Sequence, residues 1–287
     1  MTKKIKILFI MFQGSGTNLK AWNEYTKSKF LDRLKELGTV YTYQDKTYNI
    51  NHYDKSNPEY KDYDSDIDID LAYVRPNTHI LMVYEDINNA LRINNKNIDE
   101  YKFIPIGFSA GGYLALYFAQ VYASKCIHVI LLDSSLFTPN NMKARLKMLE
   151  DGINKSDKSD KSISNAKYKK MLQNWKTNNT DVEDAYKISY LNNYIRSLFI
   201  SQHLKLELPV PTLAFVNIQK PEKDEWSKDF NNKRRLEEVK ILKKNNPSNY
   251  KAIIFTNKTH YIFDKLQPAK AIIKQIKHII NIVQLDH

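Results

Sequence analysis

The sequence predicts an α/β fold: a doubly wound, mostly parallel sheet of about six strands with an inserted helical cap. Two observations predict this class. The first is a series of short apolar runs, which are typical of strands buried on both faces. The second is that segments whose apolar residues recur at helical spacing lie between these runs. Strands that alternate with helices form parallel sheets covered on both faces, because each crossover helix packs back onto the sheet.

The predicted elements are bounded by residues that commonly start or stop helices. Gly38 is expected to end the first helix, Thr78 to cap the second, and Pro268 to lie in the first turn of the last. The strands are predicted at 5–12, 39–43, 103–106, 126–135, 211–219 and 250–257, and the helices at 19–37, 78–91, 110–123 and from 268 onward.

One interval breaks the alternation of strands and helices. About 75 residues separate the fourth predicted strand from the fifth, which is far longer than an ordinary crossover. The interval contains helical patches and the polar repeat KSDKSDKS. We therefore predict a core formed by residues 1–136 and 209–287, and a helical cap at 137–208 with a flexible segment rich in Lys, Ser and Asp.

The formal net charge of +12 raises the question of a nucleic-acid partner, but only seven of the 44 basic residues are Arg. Arg is the usual reader of base edges and phosphates, so no nucleic-acid partner is expected. The Lys-rich charge would allow contact with a membrane surface, as in a surface-active lipase, but such contact is not expected either.

Three features of the sequence favour a cytoplasmic location. Cys126 is the only cysteine, which excludes an intramolecular disulfide, and it precedes an apolar run that indicates a buried thiol. No apolar run approaches the ~20 residues of a membrane span. The opening MTKKIKILFIMF resembles a signal peptide, but its apolar part is short and no cleavage site follows.

Glycine placement is the sharpest functional clue. The chain has seven glycines, and five of them lie in two loops that follow predicted strands. One loop, GFSAGG, places Ser109 between Gly107 and Gly111, which matches the G-x-S-x-G pattern of a nucleophilic serine at a strand-to-helix turn. The alternative is a tight turn whose serine has no chemical role.

The two glycine loops also supply candidate donors for an oxyanion. The N–H of Ala110 lies at the start of the following helix, where backbone N–H groups have no intrahelical acceptor. The loop FQGSGTN follows the first strand, and Gly14 and Ser15 are the candidates there for the second donor. Such donors typically stabilise a transition state by about 3 kcal/mol each.

A serine nucleophile needs a base, and His260 is the best candidate among seven histidines. It lies between the last strand and the last helix, at the sheet edge where Ser109 is expected. The acid is less certain. Asp133 ends the fourth strand in VILLDSS and is favoured over Glu222 and then Asp224, although it could instead cap the next turn.

These motifs resemble those of the α/β-hydrolases. The resemblance extends over residues 5–284 in the order of elements and is specific in GFSAGG, FQGSG and THYIF. Gln13-Gly14 replaces the usual His-Gly, the two leading strands of the family are missing, and no acid directly follows the fifth strand. GFSAGG resembles the corresponding motif of acyl-protein thioesterases and small carboxylesterases, and VILLDSS that of acyl-carrier thioesterases.

The resemblance implies a serine hydrolase that cleaves small-molecule carboxylic esters or thioesters through an acyl-enzyme. Ser109 would attack, His260 would transfer the proton, and Asp133 (alternatively Glu222 or Asp224) would orient the imidazole. Ala110 and the loop at Gly14 and Ser15 would stabilise the oxyanion, and neither a cofactor nor a metal would be needed. The alternative is a non-catalytic binding protein on the same fold.

Overall fold

The computed structural model describes residues 5–14, 22, 27–42, 76–134, 138, 143, 147, 204–218, 226–256 and 260–285. Along these residues the elements follow the order β1 (Lys6–Phe12), α1 (Phe30–Lys35), β2 (Thr39–Thr42), α2 (Pro76–Ile93), β3 (Tyr101–Phe108), α3 (Gly111–Val121), β4 (Val129–Leu132), β5 (Thr212–Ile218), α4 (Trp226–Asn245), β6 (Tyr250–Thr256) and α5 (Leu266–Leu285). A short 3₁₀ helix, Ile98–Glu100, precedes β3.

The strands form one six-stranded sheet in the order β2-β1-β3-β4-β5-β6. Every neighbouring pair is parallel, which confirms the predicted parallel sheet. The chain runs outward from β1 to β2 and then crosses back to β3. The strand order therefore reverses between β1 and β3, and open sheets of this kind bind ligands beyond the carboxyl ends of the strands at such a point.

Helices cover both faces of the sheet, as the predicted doubly wound architecture requires. Alternate residues of β1 point into two separate apolar cores. Leu8, Ile10 and Phe12 pack in the core that also contains residues of α2, α3 and α4. Ile7, Phe9 and Met11 pack on the other face with residues of α1 and α5. This burial on both faces explains why β1 appears in the sequence as an unbroken apolar run.

Several boundaries differ from the sequence prediction. α1 covers Phe30–Lys35 rather than the predicted 19–37, because Lys29 before it has a left-handed φ of 52°, and it ends three residues before Gly38. β3 covers Tyr101–Phe108 and is longer than the predicted 103–106.

The starts of three later elements also differ. β4 covers only Val129–Leu132, and Cys126 forms an isolated bridge with Phe103 rather than belonging to the strand. α2 begins at Pro76, so Thr78 lies inside the helix and is not its cap. α5 begins at Leu266, two residues before Pro268, and the proline still falls in the first turn, where its missing N–H costs no hydrogen bond.

α4 is a twenty-residue helix that the sequence analysis did not predict. Its sequence, WSKDFNNKRRLEEVKILKKN, is mostly polar and charged, so it lacks the apolar stripe by which the other helices were found. The predicted cap falls almost entirely outside the described residues. Among the described helices, none combines the length and apolar character that crossing a bilayer requires.

An aromatic cluster ties the loop after β6 to the end of β3. Phe263 is fully buried and stacks on Trp22, with ring centroids 4.8 Å apart. Its ring centroid also lies 5.4 Å from that of Phe30 and 5.1 Å from that of Phe108, whose ring is nearly perpendicular to it. The Ser28 hydroxyl donates to the Phe263 carbonyl oxygen at 2.6 Å. The cluster therefore fixes the segment that follows β6 against the strand end beside it.

We expect Phe263→Ala to lower the free energy of unfolding by about 3–5 kcal/mol, because it leaves a cavity among three aromatic rings. Urea denaturation followed by tryptophan fluorescence measures the loss. Leu266→Ala is the matched control, because Leu266 is 41% exposed and should change stability by less than about 1 kcal/mol. Equal losses in the two variants would contradict this account of the cluster.

Candidate active site

Four residues that the sequence analysis selects lie at one edge of the sheet. Gly14 follows β1, Ser109 follows β3, Asp133 follows β4 and His260 follows β6. Because the six strands are parallel, their carboxyl ends share that edge. The topology therefore places these four residues where ligands bind in open α/β sheets.

Ser109 has an unusual backbone conformation in the turn between β3 and α3. Its φ is 52°, in the left-handed region that residues other than glycine rarely adopt. Neighbouring groups hold it there: its N–H donates to the Leu132 carbonyl oxygen at 3.0 Å, and its carbonyl oxygen accepts from the Ser134 hydroxyl at 2.7 Å. Strained backbone of this kind is concentrated at functional sites.

The glycines on either side of Ser109 are required by close backbone approach. A Cβ at Gly107 would lie 2.5 Å from the Cα of Gly112. A Cβ at Gly111 would overlap the carbonyl oxygen of Phe12 at the end of β1. The first turn of α3 therefore packs on the end of β1 with no room for a side chain.

Two of the three predicted oxyanion residues lie beside Ser109. Ala110 directly precedes α3, at the end of the helix where N–H groups lack intrahelical acceptors. A Cβ at Gly14 would lie 2.9 Å from the Cβ of Ser109, so the backbone at Gly14 is next to the serine side chain. The third, Ser15, lies outside the described residues.

Asp133 and His260 form a hydrogen bond across 127 residues of sequence. The Oδ2 atom of Asp133 and the Nδ1 atom of His260 are 2.6 Å apart. The Asp133 side chain is 1% exposed and the His260 side chain is 41% exposed. A carboxylate accepts, so the Nδ1 atom is the donor, and in the neutral imidazole Nε2 is then the nitrogen with the lone pair. This is the tautomer that a general base needs.

The imidazole lies against the end of the strand that carries Ser109. The ring centroids of His260 and Phe108 are 4.8 Å apart, and Phe108 is the residue directly before Ser109. The ring centroids of Phe108 and Tyr261 are 5.0 Å apart. Packing on this aromatic side chain and hydrogen bonding to Asp133 together fix the histidine from two directions.

Of the three candidate acids, Asp133 is the one that the structure describes. Glu222 and Asp224 lie outside the described residues. Asp133 has a φ of 48°, so it shares the left-handed conformation of Ser109 on the neighbouring strand end. Its N–H donates to the Phe215 carbonyl oxygen of β5 at 2.8 Å, which anchors this backbone to the sheet.

Two groups that the sequence analysis missed bind the other oxygen of Asp133. The backbone N–H of Asn217 donates to Oδ1 at 2.9 Å, and the Nη1 of Arg235 donates to the same atom at 2.6 Å. The Arg235 Nη1 atom also donates to the Asn217 carbonyl oxygen at 2.9 Å. The buried carboxylate is thus hydrogen-bonded on both oxygens, as a buried charge must be.

Cys126 does not offer a competing nucleophile. Its side chain is buried, as predicted, and burial raises the pKa of the thiol to about 12. The thiol therefore stays protonated at neutral pH, and the thiolate is the reactive form. In the described part of the chain, no group of three or more His, Cys, Asp or Glu side chains could hold a metal ion.

Comparison with solved structures identifies the fold. A carboxylesterase structure from the thaumarchaeon Nitrososphaera gargenis superposes with a TM-score of 0.52 at 14% identity, covering 100% of this chain and 94% of that one. MGS-M2, an α/β hydrolase from a deep-sea metagenome library of the Medee basin, gives 0.53 at 12% identity, over 98% and 91% of the two chains.

MenH from S. aureus gives a TM-score of 0.52 at 12% identity, over 98% of this chain and 95% of that one. At these identities the likeness establishes a shared fold, and the predicted α/β-hydrolase fold is confirmed. No family model matches the chain, and no curated protein matches it.

We expect Ser109→Gly to be more stable than Ser109→Ala by about 1 kcal/mol, because glycine adopts a positive φ without steric cost. Urea denaturation of the two variants measures the difference. Ser124 has no positive φ, so the same pair of substitutions there should give the opposite order of stability. A glycine variant that is the less stable one at both positions would contradict the strain at Ser109.

Proposed function

We propose that this chain, which has the α/β-hydrolase fold, is a serine hydrolase that cleaves carboxylic esters or thioesters of small molecules. The observation that carries the proposal is the hydrogen bond between Asp133 and His260 at the sheet edge where Ser109 lies. An imidazole held by a buried carboxylate beside a serine on a strained turn is the arrangement that activates a serine. The proposal keeps the division predicted from the sequence, with a catalytic core of residues 1–136 and 209–287 and an inserted cap of residues 137–208.

In the acylation half of the reaction, His260 first takes a proton and later returns it. The Ser109 Oγ atom attacks the substrate carbonyl carbon while the Nε2 atom of His260 takes the hydroxyl proton. The carbonyl oxygen becomes an oxyanion, which the N–H of Ala110 and a donor of the loop at Gly14 and Ser15 stabilise. The tetrahedral intermediate then collapses, the bond to the leaving alcohol or thiol breaks, and His260 returns the proton to that group.

Deacylation repeats these steps with water as the nucleophile. His260 takes a proton from water, and the hydroxide equivalent attacks the carbonyl carbon of the Ser109 ester. Collapse of the second tetrahedral intermediate releases the carboxylic acid, and His260 returns the proton to the Ser109 Oγ atom. Asp133 keeps its charge throughout and stabilises the imidazolium that forms in each half of the reaction.

A fluorophosphonate probe should label the wild-type protein at Ser109, because such probes react with an activated serine. We expect no labelling in Ser109→Ala or His260→Ala, measured by intact mass and by mapping the modified peptide. Ser124→Ala and His278→Ala are the matched controls, since both residues are exposed and lie away from the sheet edge. A folded wild-type protein that stays unlabelled would favour the non-catalytic binding protein.

Asp133→Asn should lower kcat for a p-nitrophenyl ester by about 10⁴-fold, because an asparagine cannot stabilise the required tautomer and charge of His260. Glu222→Gln and Asp224→Asn are the comparison variants, and each should keep wild-type kcat within about 3-fold. A large loss in either of them, together with an active Asp133→Asn protein, would assign the acid to the segment after β5.

A further inference from the structure

We infer that Arg235 is a positioning residue for the proposed reaction, which it serves by fixing the rotation of the Asp133 carboxylate. This inference rests on the proposed function of the Asp133–His260 pair. Arg235 lies on α4 and binds the Oδ1 atom of Asp133, whereas His260 is hydrogen-bonded to Oδ2. Its role is to hold the plane of the carboxylate so that one oxygen stays directed at His260.

The two oxygens of Asp133 have separate partners. Oδ2 is bonded to His260, whereas Oδ1 is bonded to the Asn217 N–H and to the Arg235 Nη1 atom. Loss of the Arg235 bond leaves the Asn217 N–H as the remaining described donor to Oδ1, so the carboxylate is less restrained against rotation about its Cβ–Cγ bond. The two donors on Oδ1 therefore set the direction in which Oδ2 accepts, and that direction sets the orientation of the imidazole.

A single nitrogen of Arg235 makes two hydrogen bonds to described residues. Nη1 lies 2.6 Å from the Asp133 Oδ1 atom and 2.9 Å from the Asn217 carbonyl oxygen. It thus links the residue after β4 to the carboxyl end of β5. With the Asn217 N–H donating to the same Oδ1 atom, the three groups form a closed set of hydrogen bonds across two neighbouring strands.

The backbone at Asp133 gives a reason for this extra support. Asp133 has a φ of 48° and lies directly after β4, where the chain leaves the sheet. The same face of α4 also holds the chain further on: the Thr138 N–H donates to the buried carboxylate of Glu238 at 3.0 Å. Arg235 and Glu238 are three residues apart and so share a face of the helix. α4 thereby anchors the acid and the segment that follows it.

The ion pair between Arg235 and Asp133 also contributes to the folded structure. The stability of each variant and the reactivity of its Ser109 must therefore be measured separately. The side chains of Arg235 and Asp133 are 20% and 1% exposed. Removing one partner of such a pair usually destabilises a protein, because the other charge is left buried. A test on activity alone would therefore not distinguish positioning from a general loss of folded protein.

The test compares Arg235→Met, Arg235→Gln and Arg235→Lys with Lys240→Met, which removes an exposed positive charge from the same helix. The fraction folded is measured first, and the rate of fluorophosphonate labelling per folded molecule is measured next. We expect the two neutral variants to react about 10- to 100-fold more slowly than wild type. A displaced imidazole is poorly positioned to take the proton of the Ser109 hydroxyl. Arg235→Lys should keep more reactivity, since one nitrogen could make both bonds, and Lys240→Met should match wild type.

A double-mutant cycle separates positioning from other effects. In an Asp133→Asn background, Arg235→Met should cause almost no further loss of labelling rate, because the group that Arg235 holds has already lost its function. Neutral variants that are folded and label at the wild-type rate would overturn the inference. So would an equal loss in both backgrounds, or a failure of both neutral variants to fold, because Arg235 would then be a structural ion-pair partner only.

A proton NMR measurement keeps this inference separate from the proposed function. A strong hydrogen bond to a carboxylate moves the imidazole Nδ1 proton far downfield, and the 2.6 Å distance predicts such a signal in the wild-type protein. We expect it to broaden or shift upfield in the folded neutral variants and to persist in Lys240→Met. A wild-type protein that shows the signal but is not labelled would refute the hydrolase alone, whereas an unchanged signal in the neutral variants would refute the role of Arg235.

Discussion

The carboxylate of Asp133 imposes the constraint on which the site depends. It is buried beyond the reach of bulk water, and a buried charge is tolerated only when its oxygens are hydrogen-bonded. Its described donors come from three parts of the chain: the end of β5, the middle of α4 and the segment after β6. Satisfying one charge therefore draws three elements together, and His260 is placed beside the Ser109 turn as a consequence.

The same left-handed backbone conformation occurs at the ends of two adjacent strands. Ser109 after β3 and Asp133 after β4 both have positive φ values, and each N–H donates to a carbonyl oxygen of the next strand in the sheet. Ordinary residues avoid this conformation, so it persists only where surrounding contacts compensate for it. At Ser109 the neighbouring strand and the close packing of Gly111 on the end of β1 hold the turn. The sheet therefore supports both the serine and the acid from the same edge.

The sequence was sufficient to predict the parts of the molecule whose signals are local. Buried strands appear as apolar runs, and the Ser109 turn is recognised because glycine is rare elsewhere in the chain. Arg235 was missed because α4 is charged along most of its length, so apolar periodicity did not reveal the helix. Its contact with Asp133 also spans 102 residues, and no local pattern reports such a pairing. The choice among Asp133, Glu222 and Asp224 stayed open in the sequence for the same reason.

We propose that the carboxyl ends of the strands assemble one reactive centre from Ser109, His260 and Asp133. A crystal structure of the protein after reaction with a fluorophosphonate tests this most directly. We expect phosphorus bonded to the Ser109 Oγ atom, a phosphoryl oxygen within hydrogen-bonding distance of the Ala110 N–H, and the Asp133–His260 hydrogen bond intact. An adduct on another residue, or a phosphoryl oxygen directed away from the start of α3, would contradict the account.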